Sequence, residues 1–396
     1  MDRLKKKVVK ISIAVICITC LSGCFDRREL DTMGIVMGVA IDKAESEGET
    51  ELTVQMANPA GESASGSKGK ESMEKEGGKS PAFVNVTSTG RNINYIVRQM
   101  QRKMSRMIYV AHNQAIVFGE ELAESGVRDA LDFFARAPEA RMTLNVFVAK
   151  GKAKDILGIE PEFEKVTSTE LIKILRDQKI TSHAPIVTEF EFVSTMVSKT
   201  TAAVAPIVRI INEDETDRLS VSGCAVFKDS IMVGELSEVE TRGLLFVKNK
   251  VKTGVFELKI LNTPATIEIR KSRTKTQPVL YTDGRVMFNV DVNMTVGLGD
   301  QSGDLNLAAP ENSHAMLSAV ESAVKDEIKS AVEKSKELNA DVFGFGEHLN
   351  RKYPDQWRDM RERWDEIYKN ITVNTTVKVK ADGGGRIDRP LVPEQA

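Results

Sequence analysis

Val286-Met287-Phe288-Asn289-Val290-Asp291-Val292-Asn293-Met294-Thr295-Val296 carries an apolar residue at every second position. Successive side chains of a strand point to opposite faces, so this stretch reads as a half-buried strand with one wet face. Downstream lies the longest helix candidate, Asn312 to Leu338, with Met316, Val320, Val324, Ile328, Ala331 and Val332 in a stripe near the 3.6-residue period. Its other face, with Glu321, Lys325, Asp326, Lys329 and Glu333, reads as solvated. A second helix is expected from Phe345 to before Pro354 and a third from Asp355 to Tyr368. An alternating strand, Ile371 to Val379, closes the pattern before Asp382-Gly383-Gly384-Gly385. Upstream, strands are expected at Ala203–Ile211, Leu219–Phe227, Ile231–Gly234, Val251–Leu261, Ala265–Ser272 and Val279–Tyr281, with a short helix at Val239–Leu245.

Before Thr201 strand and helix patterns alternate. Strands are expected at Met33–Asp42, Glu51–Met56, Ala82–Thr87, Ile108–Phe118 and Met142–Ala149. Helices are expected at Arg91–Met107, Glu120–Ala135, Ala153–Leu157, Phe163–Asp177 and Val187–Ser198. Asn58 to Ser80 is Gly, Ser, Lys and Glu with almost no apolar residue, too little to offset the entropy of ordering it, and reads as a flexible insertion. The fold class is therefore α+β, with mixed sheets and packed helices. The expected division is a signal segment at 1–23, an N-terminal α/β domain at 24–200 with the insertion at 58–80, a strand-rich middle domain at 201–300 and a helix-rich α+β domain at 301–396.

The first residues follow an export pattern. Arg3, Lys5, Lys6, Lys7 and Lys10 precede an apolar stretch from Ile11 to Leu21 that is short for a membrane span, and Leu21-Ser22-Gly23-Cys24 ends it as a bacterial lipoprotein signal does. The mature protein is expected to begin at a lipidated Cys24, anchored through acyl chains on the outer side of the membrane. Removing 1–23 takes away five basic residues and one acidic one, so a formal charge of −2 becomes −6. Such a chain has no clustered basic footprint for nucleic acid. Arg27 and Arg28, a few residues from the lipid, read either as a solvated tether or as contacts to phospholipid headgroups or a partner subunit.

Catalytic signatures are absent from the sequence. His112, His183, His314 and His348 are far apart, with no metal-ligand spacing; Glu347-His348 lacks a third ligand. Gly344-Phe345-Gly346 lacks the Lys-Ser/Thr of a phosphate loop and reads as a turn between helices. Cys224, in the apolar run Val221 to Phe227, reads as a small core residue. Trp357 and Trp364 are two helical turns apart and read as a core pair, a partner groove being the alternative. No cofactor is expected.

Several segments together resemble the Ger(x)C lipoproteins, the C subunits of spore-germination receptors. These are Cys24-Phe25-Asp26-Arg27-Arg28-Glu29-Leu30 with Gly34 to Lys43, His112 to Leu131, Gly223 to Lys228, Val233 to Leu236 with Glu240 to Leu244, and Asp341 to Gly346 followed by Tyr353 to Trp357 and Trp364-Asp365. Phe25 stands where the family commonly has Trp. The resemblance implies three mixed α/β domains, no enzymatic activity, and work with two multispanning subunits, A and B, in the spore inner membrane in response to small nutrients. Direct germinant binding is not expected of it. Two other readings are a lipoprotein that captures the nutrient itself and a membrane-tethered hydrolase built on scattered carboxylates.

Overall fold

The structure, a computed structural model, describes residues 32–58, 81–136, 142–198, 200–303, 305–307 and 309–382, with the isolated positions 3, 7, 10 and 61. Two sheets organise it. The first contains β1 (Met33–Lys43), β2 (Thr50–Ala57), β3 (Phe83–Gly90), β4 (Met107–Tyr109), β5 (Ala115–Phe118), β6 (Asn145–Ala149), β7 (Ala203–Glu213), β8 (Thr216–Lys228) and β9 (Ile231–Leu236). Their order is β3-β2-β1-β5-β6-β7-β8-β9, with β4 attached to the start of β1. Pairing is parallel among β1, β5, β6 and β7 and antiparallel at both flanks, so the sheet is mixed.

Among the described residues, the helices that accompany this sheet are α1 (Ile93–Gln101), α2 (Glu120–Ser125), α3 (Arg128–Arg136), α4 (Ala153–Gly158), α5 (Thr167–Thr181), α6 (Glu189–Met196) and α7 (Glu238–Val247). The second sheet has the order β10 (Gly254–Ile260), β11 (Thr263–Leu280), β12 (Val286–Gln301) and β13 (Thr372–Ala381), with β12 and β13 parallel. One face of it is covered by α8 (Pro310–Glu337); α9 (Phe345–Lys352), α10 (Pro354–Met360) and α11 (Trp364–Asn370) lead to β13. On β12, Val286, Phe288, Val290, Val292, Met294 and Val296 are all buried, as the alternation required. Among the described residues no helix is long and apolar enough to cross a membrane.

Several elements depart from the expected spans. The helix expected over Arg91–Met107 stops at Gln101, because the Gln101 side chain bonds the backbone of Arg106 and Ile108 and turns the chain into β4. The Glu120–Ala135 helix breaks at Gly126, whose φ of +120° suits glycine, and Val127 then donates to the Ser230 carbonyl. Ala265–Ser272 and the strand expected from Val279 merge into one 18-residue strand that ends at Leu280. Asp355–Tyr368 divides into α10, a 3-10 turn and α11. β7, β8 and β9 extend the first sheet across Thr201, where the run of strands was expected to begin.

The sheets are joined by α7 and α8. Arg242 of α7 lies over the Phe256 ring at 4.5 Å, donates to the Val255 carbonyl at 2.8 Å, and forms a two-pronged ion pair with Glu327 of α8, its Nε–Oε2 arm 2.9 Å long. Burial pushes the Glu327 carboxyl up, and the guanidinium opposes that shift. The next residue, Gly243, lets the backbones meet: a Cβ there would stand 2.2 Å from the Glu327 carbonyl oxygen. Glu189, at the start of α6, is a different kind of buried charge. It is fully buried, neither carboxylate oxygen has a hydrogen-bond partner among the described residues, and burial pushes its carboxyl up to about 7.

Two outcomes follow from these buried groups. Arg242→Met leaves Glu327 buried and unpaired and is expected to cost about 3–5 kcal/mol, while Arg242→Met with Glu327→Leu should recover most of that loss; chemical denaturation measures both. For Glu189, the folded chain keeps its proton between pH 4.5 and about 7 while the unfolded chain releases it, so stability falls as pH rises through that window. Glu189→Gln should therefore be neutral near pH 4 and more stable than the parent by about 1–3 kcal/mol at pH 8, read from melting curves at the two pH values.

Candidate functional site

Cys24, Arg27 and Arg28 lie outside the described residues. The first described strand, β1, starts at Met33, where it pairs in parallel with β4: Met33 lies opposite Met107 and Ile35 opposite Tyr109. Any tether from Cys24 therefore reaches the body at this end of the first sheet.

The segment Asp341-Val342-Phe343-Gly344-Phe345-Gly346 forms a buried joint. Asp341 accepts hydrogen bonds from the Phe345 N–H at 3.0 Å, the Gly346 N–H at 2.7 Å and the Trp364 indole N–H at 3.2 Å. Burial pushes its carboxyl up to about 6 even though these donors favour the ionised form. Gly344 has φ +75°, and a Cβ on Gly346 would stand 2.9 Å from Trp357 and 3.0 Å from both the Thr200 carbonyl oxygen and Trp364 Nε1. Trp357 and Trp364 meet edge to face at 5.1 Å and are both buried, so they belong to the core and present no groove to a partner. Phe345 stacks on Phe288 at 4.1 Å, and the Asp341 carbonyl accepts from Ala202 at 2.8 Å, which ties the joint to the approach to β7.

Asp42 makes a similar joint in the first sheet. Its two oxygens accept from the Ala153 and Lys154 N–H groups at 2.7 and 2.9 Å, capping α4, and Gly119 leaves the room: a Cβ there would stand 2.1 Å from Asp42 Oδ1. Burial raises its carboxyl against those two hydrogen bonds. Sequence reasoning did not single out either aspartate. Gly344 and Gly346 stand close to Asp341 in the chain and were an available signal, whereas the glycine that admits Asp42, Gly119, is distant in sequence.

Nucleophile chemistry is not what Cys224 offers. It is fully buried, accepts from Thr241 Oγ1 at 3.4 Å, and burial pushes its thiol up to about 12. His183 sits 3.5 Å from Arg242, and burial and that cation both lower its pKa. His348 is lowered as well, by burial and then Arg351. The four histidines stay apart, and among the described residues no three His, Cys, Asp or Glu side chains are placed to hold a metal ion.

A cavity of about 780 Å³ lies where α5, α6, β7 and α7 meet. Its floor is apolar, with Val187, Phe192, Val204 and Leu244, and Lys179, Lys248, Lys250 and Lys252 stand along it. Glu191 is the one carboxylate in the lining, and it is engaged with Thr188 in the capping box of α6. Lys248 donates to the Val342 carbonyl at 3.3 Å, and burial lowers its pKa. The volume and the few polar groups fit a small organic molecule, and the lysines favour an anionic one.

Comparison with known proteins agrees with this architecture. The family described as spore germination protein N-terminal domain matches residues 26–210, and that described as spore germination B3/GerAC like, C-terminal, matches 222–385. The interval between them contains the β7–β8 turn, inside the first sheet. The chain is 28% identical to spore germination protein KC of Bacillus subtilis over 382 residues, covering 92% of each. It is 26% identical to spore germination protein B3 of the same organism, covering 97% of this chain and all of that one. Among solved structures, the crystal structure of the GerBC protein aligns with a TM-score of 0.55 and 20% identity over 90% of this chain and 99% of that one, a likeness of fold.

Proposed function

The chain belongs to the GerAC-like family of spore germination proteins, and we propose that it serves there as the lipid-anchored, non-catalytic C subunit of a germinant receptor. The observation that carries this reading is the two family matches, which leave little of the chain from residue 26 onward uncovered, behind a lipoprotein signal ending at Cys24. In this role Cys24 bears the lipid, the body stands on the outer face of the spore inner membrane, and its surface docks the A and B membrane subunits. Arg27 and Arg28 lie close enough to the lipid to touch headgroups or a partner. The buried aspartates support a structural use of the polar core: each is committed to backbone N–H groups at a helix start.

Cys24→Ala tests the anchor and the function together. Membrane retention of the protein and the rate of nutrient-triggered germination should both fall, while a trigger that bypasses nutrient receptors stays effective. Germination at the normal rate with the protein lost from the membrane, in a strain without redundant receptors, would set the anchored reading aside.

The cavity of about 780 Å³ favours a second reading, in which the subunit itself holds a small nutrient. Titration of the purified lipoprotein with amino acids and sugars in a calorimeter decides it. Saturable binding that Val187→Trp abolishes would support this reading; no heat with any nutrient would leave germinant recognition to the other subunits.

A further inference from the structure

From Pro81 to Gly119 the chain has no Asp or Glu, yet it carries Arg91, Arg98, Arg102, Lys103 and Arg106. In the chain as a whole, acidic residues outnumber basic ones by 57 to 55, so this run is a local reversal of charge. The fold collects four of the five at one place. β3 runs parallel to β1, because each is antiparallel to β2, and α1 then runs back along the sheet. Its last turn and the following loop arrive beside the start of β1, where Met107 pairs with Met33.

The helix turns Ile93, Ile96 and Met100 into the core and leaves Arg98, Arg102 and Lys103 exposed, with Arg106 half-buried and Met107 36% exposed. None of these four cations forms an ion pair among the described residues; Arg102 reaches only the Gln99 side chain, at 3.4 Å. The loop that carries Arg102, Lys103 and Arg106 is closed by Gln101, whose side-chain amide donates to the Arg106 carbonyl and accepts from the Ile108 N–H. Cys24 is nine residues before Met33, a span of at most about 30 Å when fully extended.

We propose that Arg98, Arg102, Lys103 and Arg106 form a docking surface for anionic phospholipid headgroups, which sets the body upright on the membrane with the start of β1 facing the bilayer. This inference rests on the lipid-anchor reading, because the anchor is what brings this end of the sheet within reach. The lipid supplies attachment and the basic surface supplies orientation: each basic side chain at an anionic surface raises partition about fivefold, and salt screens the effect within a Debye length. The opposite end of the sheet, at the β1–β2 turn, carries Glu45, Glu47 and Glu49 beside Lys43 and Arg91, so it lacks the net positive charge that would draw it to an anionic surface.

The test uses the full lipidated protein in vesicles of phosphatidylcholine, with or without about one third phosphatidylglycerol, each containing a headgroup-linked quencher. A fluorophore is placed at Ser105→Cys in the basic loop or at Glu47→Cys in the far turn; Cys224 is buried and does not label. Anionic vesicles should quench the Ser105→Cys label at least about threefold more than neutral ones and leave the Glu47→Cys label unquenched. The difference should vanish in high salt and in Arg98→Gln/Arg102→Gln/Lys103→Gln/Arg106→Gln. A triple variant that spares the half-buried Arg106 covers the case in which the fourfold variant fails to fold. Equal quenching at both labels, or in both vesicle types, with the protein still sedimenting with the vesicles, overturns the proposal and leaves the anchor standing. Protein that sediments with neither vesicle type overturns the anchor and this inference together. If the substitutions leave quenching intact but release the multispanning receptor subunits on purification, the surface is a protein dock and the lipid proposal is wrong.

Discussion

Everything else in this fold depends on how closely α7 approaches α8. Gly243 lets the α7 backbone come against the Glu327 carbonyl, and one residue earlier Arg242 closes the contact with a buried ion pair and a stack on Phe256. α7 follows β9 of the first sheet, and α8 covers the second sheet through β10 and β13, so this crossing couples the two, together with the Ala202–Asp341 and Lys228–Asp365 links. Taking both charges out of water is costly, and the guanidinium offsets that cost only because its remaining donors find the Val255 carbonyl and the edge of His183.

Segments that carry the resemblance contain joints of the same character. Asp42 with Gly119, Gly223 with Cys224 and Thr241, and Asp341 with Gly344, Gly346 and Trp364 are each a place where a polar group or a glycine permits a tight backbone crossing. Gly223 has φ +74°, and a Cβ there would lie 2.7 Å from the Leu236 carbonyl oxygen. Buried carboxylates with raised pKa values often mark catalytic sites. Here Asp42 and Asp341 are occupied by backbone donors at helix starts, which accounts for their burial without any reaction. The cavity between α5, α6 and α7, with its lysines, and the basic end of the first sheet lie away from these joints.

Much of this was legible in the chain because periodicity reports burial directly. The alternation Val286–Val296 and the stripe Met316–Val332 place buried residues where the structure has them. Breaks were less legible. The α2–α3 break depends on Val127 bonding to Ser230, about a hundred residues away, and the early end of α1 depends on the Gln101 side chain reaching the loop it precedes. Trp357 and Trp364 were correctly read as a core pair, although the helix expected to align them is interrupted between them. Cys224 was likewise legible as core from its apolar run.

The sequence by itself determined the α+β class, which depends on residue type and short-range periodicity, and pointed to the family through the likeness of several segments along the chain. Tertiary structure decided the rest. It carried the first sheet across residue 200, since strand pairing is set by contacts between distant segments and leaves no mark at the boundary. It turned two aspartates and a run of glycines into structural joints. It also brought four cations of one charge-biased segment beside the start of β1, because the parallel pairing of β4 with β1 folds that segment back to Met33.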